Sequence, residues 1–258
     1  MSGTSLTSRR RSSPFSNRKL YRAQRLSALV FSGFLALHLF AVSGALFSAA
    51  VFDRLLDATR LLYGYLPVEL GLLFALVIHV GASLILWKRR PVDAPRPLGT
   101  QVQSIAGFLL LVSIGGHVAA TRILPAMSGF QADATYVWIA LAIWPTFFVP
   151  YYAALGVAGA LHLLYGLRFL LGKKPVPHWH LIAVLVVSAI FLAVPVRILV
   201  EPRAEPTPDE IRLYLEPFDR GIPWLMGAAD EHPYVIQYRQ MTRAEKDAAG
   251  GGDTGRGH

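Results

Sequence analysis

The chain has 258 residues, of which 53% are hydrophobic and 16% charged, with a mean hydropathy of +0.43. So apolar a composition excludes an ordinary soluble domain and makes lipid the solvent to reason with. The net charge of +9 lies in basic residues that flank the apolar runs, which argues against nucleic acid as partner, and the absence of cysteine excludes disulfides, thiolate iron–sulfur ligation and covalently attached c-type haem.

Residues 1–25 form a basic segment with Arg9, Arg10, Arg11, Arg18, Lys19, Arg22 and Arg25. It has no apolar h-region, and the hydrophobic run after it is too long and lacks a small-residue cleavage site, so it is expected to be retained. A helix crossing ~30 Å of hydrocarbon needs roughly 20 apolar residues. On that scale the sequence predicts an all-α integral membrane bundle of five transmembrane helices over residues 26–200. Helix I spans Leu26 to Val51, helix II Pro67 to Trp87, helix III Val102 to Ile123, helix IV Pro150 to Leu171 and helix V Leu181 to Val200. Asp53 to Tyr65 and Tyr136 to Ile143 are predicted to be interfacial pieces, the second cut off from helix IV by Pro145 and Pro150. Residues 201–258 are rich in acid and proline and end in a flexible segment from Ala248 to His258; they are expected to be an extension, not a second folded domain.

Lysine and arginine are concentrated before helix I, after helix II (Lys88, Arg89, Arg90, Arg96) and after helix IV (Arg168, Lys173, Lys174). The positive-inside rule then predicts a cytoplasmic N-terminus and, after five crossings, an external C-terminus.

Helices I to IV each carry one histidine near the middle: His38, His79, His117 and His162. An ionisable side chain at membrane depth costs free energy and marks a functional site, and four imidazoles at this spacing suit two pairs of axial haem ligands. At ~1.5 Å per residue, His38 and His117 lie about 18 Å and about 22 Å from the inner helix ends, His79 and His162 about 12 Å and about 14 Å. A haem needs both ligands at one level, so His38 pairs with His117 and His79 with His162. Small residues three or four positions away (Ser113, Ala120, Thr121; Ala75, Ala82, Ser83; Ala158, Gly159, Gly166) would let a flat macrocycle approach, although helix contacts in lipid use the same residues. His178 and His180, beside Trp179, are expected to anchor helix V in the headgroups. No internal repeat is evident.

The stretches Ser27 to Ser43 (SALVFSGFLALHLFAVS), Gln103 to His117 (QSIAGFLLLVSIGGH) and Leu161 to Arg168 (LHLLYGLR), with histidine on helices I to IV and none inside helix V, carry a resemblance. Over residues 25–200 the chain resembles the single-polypeptide, five-helix, di-haem cytochrome b anchor of succinate dehydrogenases and fumarate reductases. The resemblance implies two haem b groups, a proximal one on His79 and His162 and a distal one on His38 and His117. It implies flavoprotein and iron–sulfur subunits on the cytoplasmic face and electron exchange with a quinone, menaquinone or ubiquinone, in a bacterial cytoplasmic membrane, and it leaves an oligomer of the whole complex open. It also implies a carboxylate at the outer end of helix II for quinone proton transfer, a position that Glu69 occupies, with Asp53, Asp57, Tyr63 and Tyr65 just ahead. For the inner haem's propionates, Arg168 and Gln103 are candidates, Gln103 because fourteen residues turn the helix almost a whole number of times and bring it to the face of His117. Lys88, Arg89 and Arg90 are accounted for by the positive-inside rule alone. The alternative is a di-haem cytochrome b anchor of another respiratory complex, of hydrogenase, formate dehydrogenase or nitrate reductase type, although those families usually place two ligands on one helix or skip a helix. A histidine-relay transporter would be expected to show repeats and mid-span acids.

Overall fold

The computed structural model describes residues 17–91, 95–170 and 178–250, and these form helices and connections without strands. Arg9 to Arg11, Leu171, Lys173, Lys174 and most of the expected end segment lie outside the described residues. Among the described residues five helices are long and apolar enough to cross a membrane: Asn17–Leu46, Leu66–Lys88, Leu98–Met127, Pro145–Leu170 and Trp179–Val200. The chain has the character of a multi-pass membrane protein.

Helix α1, Asn17–Ser43, begins nine residues before the predicted Leu26, because Arg18, Lys19, Arg22 and Arg25 are good helix formers that hydropathy ignores. It also stops earlier than predicted. A 3₁₀ turn at Gly44–Leu46 leads to Ser48, whose side chain accepts the Val51 N–H at 3.2 Å and starts α2, Ala49–Tyr63. Gly44 permits this reversal, since a Cβ there would stand 2.8 Å from Leu55 Cδ1. Helix α3, Leu66–Lys88, is followed by α4, Leu98–Val118, which runs through a π-turn at Ala119–Ile123 into the short α5, Leu124–Met127.

Helix α6 covers Ala134–Ile143, α7 Pro145–Leu170 and α8 His178–Val200. The break before α7 falls at Trp144, not at Pro150. A residue preceding proline is pushed out of the helical region, and Trp144 at φ −126° and ψ 58° obeys this. Pro150 sits inside α7, one turn past its start, where the cost is a single backbone hydrogen bond.

Helix α1 packs chiefly on α3, α4 on α7, and α7 on α8, while α3 and α4 make no substantial contact with each other. The densest core lies at the end of the bundle away from the basic residues. Helix α6 is buried within the protein: Tyr136, Ile139 and Leu141 are at most 1% exposed. They are covered by the tail, which forms α9 (Pro208–Gly221), α10 (Pro223–Gly227) and α11 (Pro233–Gly250). A capping box between Thr207 and Glu210 starts α9, whose Ile211, Tyr214, Leu215 and Phe218 lie on one face and are buried. Phe218 stacks on Tyr136 at 5.6 Å and lies 5.0 Å from Trp144, while the Trp144 indole N–H donates to the Leu225 carbonyl at 2.8 Å. Glu201 accepts the Ala49 N–H at 3.1 Å, so the start of the tail caps α2 where the helix dipole favours a negative charge. The acidic tail is therefore built into the bundle's own core. Phe218→Ala is expected to destabilise the detergent-solubilised protein by about 3–5 kcal/mol, seen as a lowered melting temperature by differential scanning calorimetry.

Candidate cofactor cavity and ligating residues

Between the α1–α3 pair and the α4–α7 pair lies a cavity of about 2460 Å³, well above the roughly 300–1,000 Å³ of a usual ligand pocket. It runs from Arg25, Arg89 and Arg90 at the basic end to Tyr63, Glu69 and Arg122 at the tail end. All four mid-helix histidines line it. His38 of α1 faces His117 of α4 with ring centres 6.0 Å apart, and His79 of α3 faces His162 of α7, also at 6.0 Å. Two metal–imidazole bonds of about 2.0–2.1 Å on opposite sides of one ion, with a further ångström or so to each ring centre, require roughly this spacing.

The second nitrogen of each imidazole in the His79–His162 pair is already engaged. His79 Nδ1 lies 3.4 Å from the Gln24 carbonyl, and His162 Nδ1 lies 3.1 Å from the Gln103 carbonyl. A carbonyl only accepts, so Nδ1 carries the proton and Nε2 has its lone pair for a metal, the usual outer contact of a ligating histidine. At the other pair, Nδ1 of His38 and of His117 are buried without a partner. Phe34 stacks on His38 at 5.7 Å and meets Tyr63 edge-on at 4.9 Å. Among the described residues no three ligating side chains converge. A bare zinc ion takes three or four protein ligands, so two imidazoles per site fit an ion that brings its other ligands with it, as in a porphyrin.

Gln103 therefore acts through its backbone, from α4 to α7, while its amide nitrogen lies 3.3 Å from where a Cβ on Gly166 would be. Arg168 does not line the cavity; its guanidinium stands 3.1 Å from a Cβ position on Gly99 at the start of α4. The basic side chains that do reach the cavity there are Arg25, Arg89 and Arg90. Of the small residues near the histidines, Ser83, Thr121, Gly159 and Gly166 line the space, whereas Ala75, Ala82 and Ala158 are buried between helices. His180 does not anchor in headgroups. It is 4% exposed, edge-on to Tyr165 at 5.1 Å, and the exposed neighbour is Trp179.

At the tail end Glu69 makes a bidentate ion pair with Arg122, at 2.8 and 3.1 Å. Asp57, Arg60 and Tyr63 line the cavity beside it; Asp53 and Tyr65 do not. Asp53 accepts the Ala134 N–H at 2.8 Å and so ties α2 to α6. Sequence reasoning passed over Gln24 and Gly107. The first stands fourteen residues before His38, just as Gln103 stands before His117. The second leaves room for an imidazole, since a Cβ there would come within 2.9 Å of the His162 ring.

No family model, no curated protein and no solved structure matches this chain.

Burial pushes the Asp53 carboxyl above its usual range, against the opposing effect of the Ala134 hydrogen bond. With the folded-state value raised, the folded protein favours the neutral acid, and stability is gained as pH falls through that value. Asp53→Asn keeps an oxygen for Ala134 and removes the charge. Its melting temperature should exceed wild type at neutral pH, and the difference should vanish in acid.

Proposed function

We propose that this chain is the di-haem cytochrome b subunit that anchors a succinate dehydrogenase or fumarate reductase in a bacterial cytoplasmic membrane. It would carry electrons between the iron–sulfur subunit and a membrane quinone. The observation that carries the reading is the pair of facing imidazoles at 6.0 Å, occurring twice in one apolar cavity. Haem b bound between them would supply reversible one-electron transfer at two depths. The chain's own part is to hold the rings at fixed height and tautomer, through Gln24 and Gln103 at the inner pair, and to exclude water with an apolar wall.

Orientation follows from the arginines of the basic end, which belong on the cytoplasmic side. That side would meet the iron–sulfur and flavoprotein subunits, and Arg25, Arg89 and Arg90 would meet the propionates of the inner haem. Quinone reduction takes up protons together with electrons, so the quinone must sit beside a group that exchanges them. Glu69, in the wall of the tail end, is that group in this reading. The acidic tail and its cap would lie on the external face.

A reduced-minus-oxidised spectrum of the purified protein should show a b-type α-band, and pyridine haemochrome should give two haems per chain; one or none overturns the reading. Replacing His79 or His162 by Ala should remove the same haem and replacing His38 or His117 the other. Loss of a common centre from His38 and His79 variants would break the pairing. Gly107→Leu should drive the His162 ring aside and cost only the haem that His79→Ala costs. Glu69→Gln should slow quinone turnover about 10²–10⁴-fold, the usual worth of a positioned acid–base group, while both haems stay bound.

A further inference from the structure

Helix α4 does not continue regularly past His117. The π-turn at Ala119–Ile123 inserts an extra residue into the winding, and such turns gather at functional sites. Here it frees the Ala120 carbonyl, which accepts the Tyr136 hydroxyl at 2.8 Å, and it directs Arg122 across to α3, where the guanidinium grips Glu69 with two hydrogen bonds. Tyr136 is itself fixed by Phe218 and Tyr214 of the tail helix, at ring distances of 5.6 and 5.7 Å. The polar contact spans the seam where α3 and α4 do not pack. Along that seam Leu66, Leu70, Val118 and Ile123 line the cavity and are also exposed.

We propose that the α3–α4 seam is the lateral portal by which quinone reaches the tail-end chamber from lipid, and that Arg122 is the positioning residue that closes it and orients Glu69 toward the quinone headgroup. This rests on the quinone-linked reading of the site given above. The ligand class follows from the lining. An isoprenoid tail matches the exposed apolar residues of the seam, and a dioxygenated ring matches the carboxylate, guanidinium and Tyr63 hydroxyl at its end. A bidentate Arg–carboxylate pair fixes both the distance and the plane of the carboxylate, which a lysine cannot reproduce. Removing Arg122 leaves the histidine pairs untouched and Glu69 free to rotate away.

The test uses the intact complex with both haems bound and a short-chain naphthoquinol as reductant, with haem absorbance followed by stopped flow. Arg122→Gln should raise the half-saturating quinol concentration about tenfold or more, the scale of a lost charge-assisted hydrogen bond, with haem spectra and midpoint potentials unchanged. Arg122→Lys should fall between this variant and wild type. Tyr136→Phe, which releases the π-turn without touching the ion pair, should show the same shift in weaker form. In a Glu69→Gln background, Arg122→Gln should add nothing, because the two residues act as a unit. Unchanged half-saturation in both Arg122 variants, or additive losses in the double variant, would overturn the proposal. If Arg122→Gln loses its haems through misfolding, Arg122→Lys and Tyr136→Phe still decide the matter. A haem-loaded wild-type complex that naphthoquinol cannot reduce brings down the quinone reading itself, and this inference with it.

Discussion

Space that the polypeptide does not fill governs this molecule. Protein interiors pack to crystal-like density, and atoms that line a void forfeit their dispersion contacts on that side. Here α1 with α3 and α4 with α7 form two packed layers that meet along α1 and α7 and leave a cavity between them, lined by all four imidazoles. An ionisable ring in a low-dielectric interior is tolerated when something pairs with it. Both facts single out the cavity and its two facing histidine pairs as the site that the proposed function must use. The few fully buried residues within the apolar helices fit this, since α4 buries only Ala106 and α3 only Ala75 and Ala82.

A bundle with a large cavity in its middle must find its rigidity elsewhere. The contiguous core of aromatic and aliphatic side chains sits at the tail end, where α6, the start of α7, α8 and the tail helix α9 converge. The hydrogen bonds that cross between elements gather there too: Glu201 to Ala49, Asp53 to Ala134, Tyr214 to Asp133, Trp144 to Leu225. The cap also reaches the chemistry. Tyr136 is at once its most buried ring and the donor to the carbonyl freed by the π-turn, so the residues that stabilise one end of the fold also set the angle of Arg122.

The five apolar helices and the histidine pairing were legible in the sequence because both depend on one-dimensional quantities, span length and depth along a helix. What depended on a second element was not. Helix α9 carries apolar residues at 211, 214, 215 and 218, the spacing of one helical face, but its surroundings of acid and proline read as solvated chain until α6 was seen as its partner. Pro145 and Pro150 are both possible breaks in the sequence, and the rule about residues preceding proline accounts for the one at Trp144. Arg122 looked like a loop cation because nothing in a linear reading signals a π-turn, and Arg168 looked like a cavity residue because its depth was right while its direction was not.

The repeat that escaped the linear reading explains the geometry best. Gln24 and His38 on α1 match Gln103 and His117 on α4; His79 on α3 matches His162 on α7; and the carbonyl of each glutamine accepts from the histidine on the following long helix. The two halves run in the same sense, which is the relation of parallel repeats about an axis along the membrane normal. Under such an axis each facing pair consists of equivalent residues, so equal depth within a pair follows from symmetry and needs no separate tuning. The halves differ at one seam. Helix α1 packs on α7, but the equivalent meeting of α4 with α3 stays open and is bridged by Glu69 and Arg122. A symmetric pair of layers would shut both sides alike; breaking the symmetry at one seam leaves α3 and α4 apart beside the His38–His117 pair, with a carboxylate and a guanidinium at the edge.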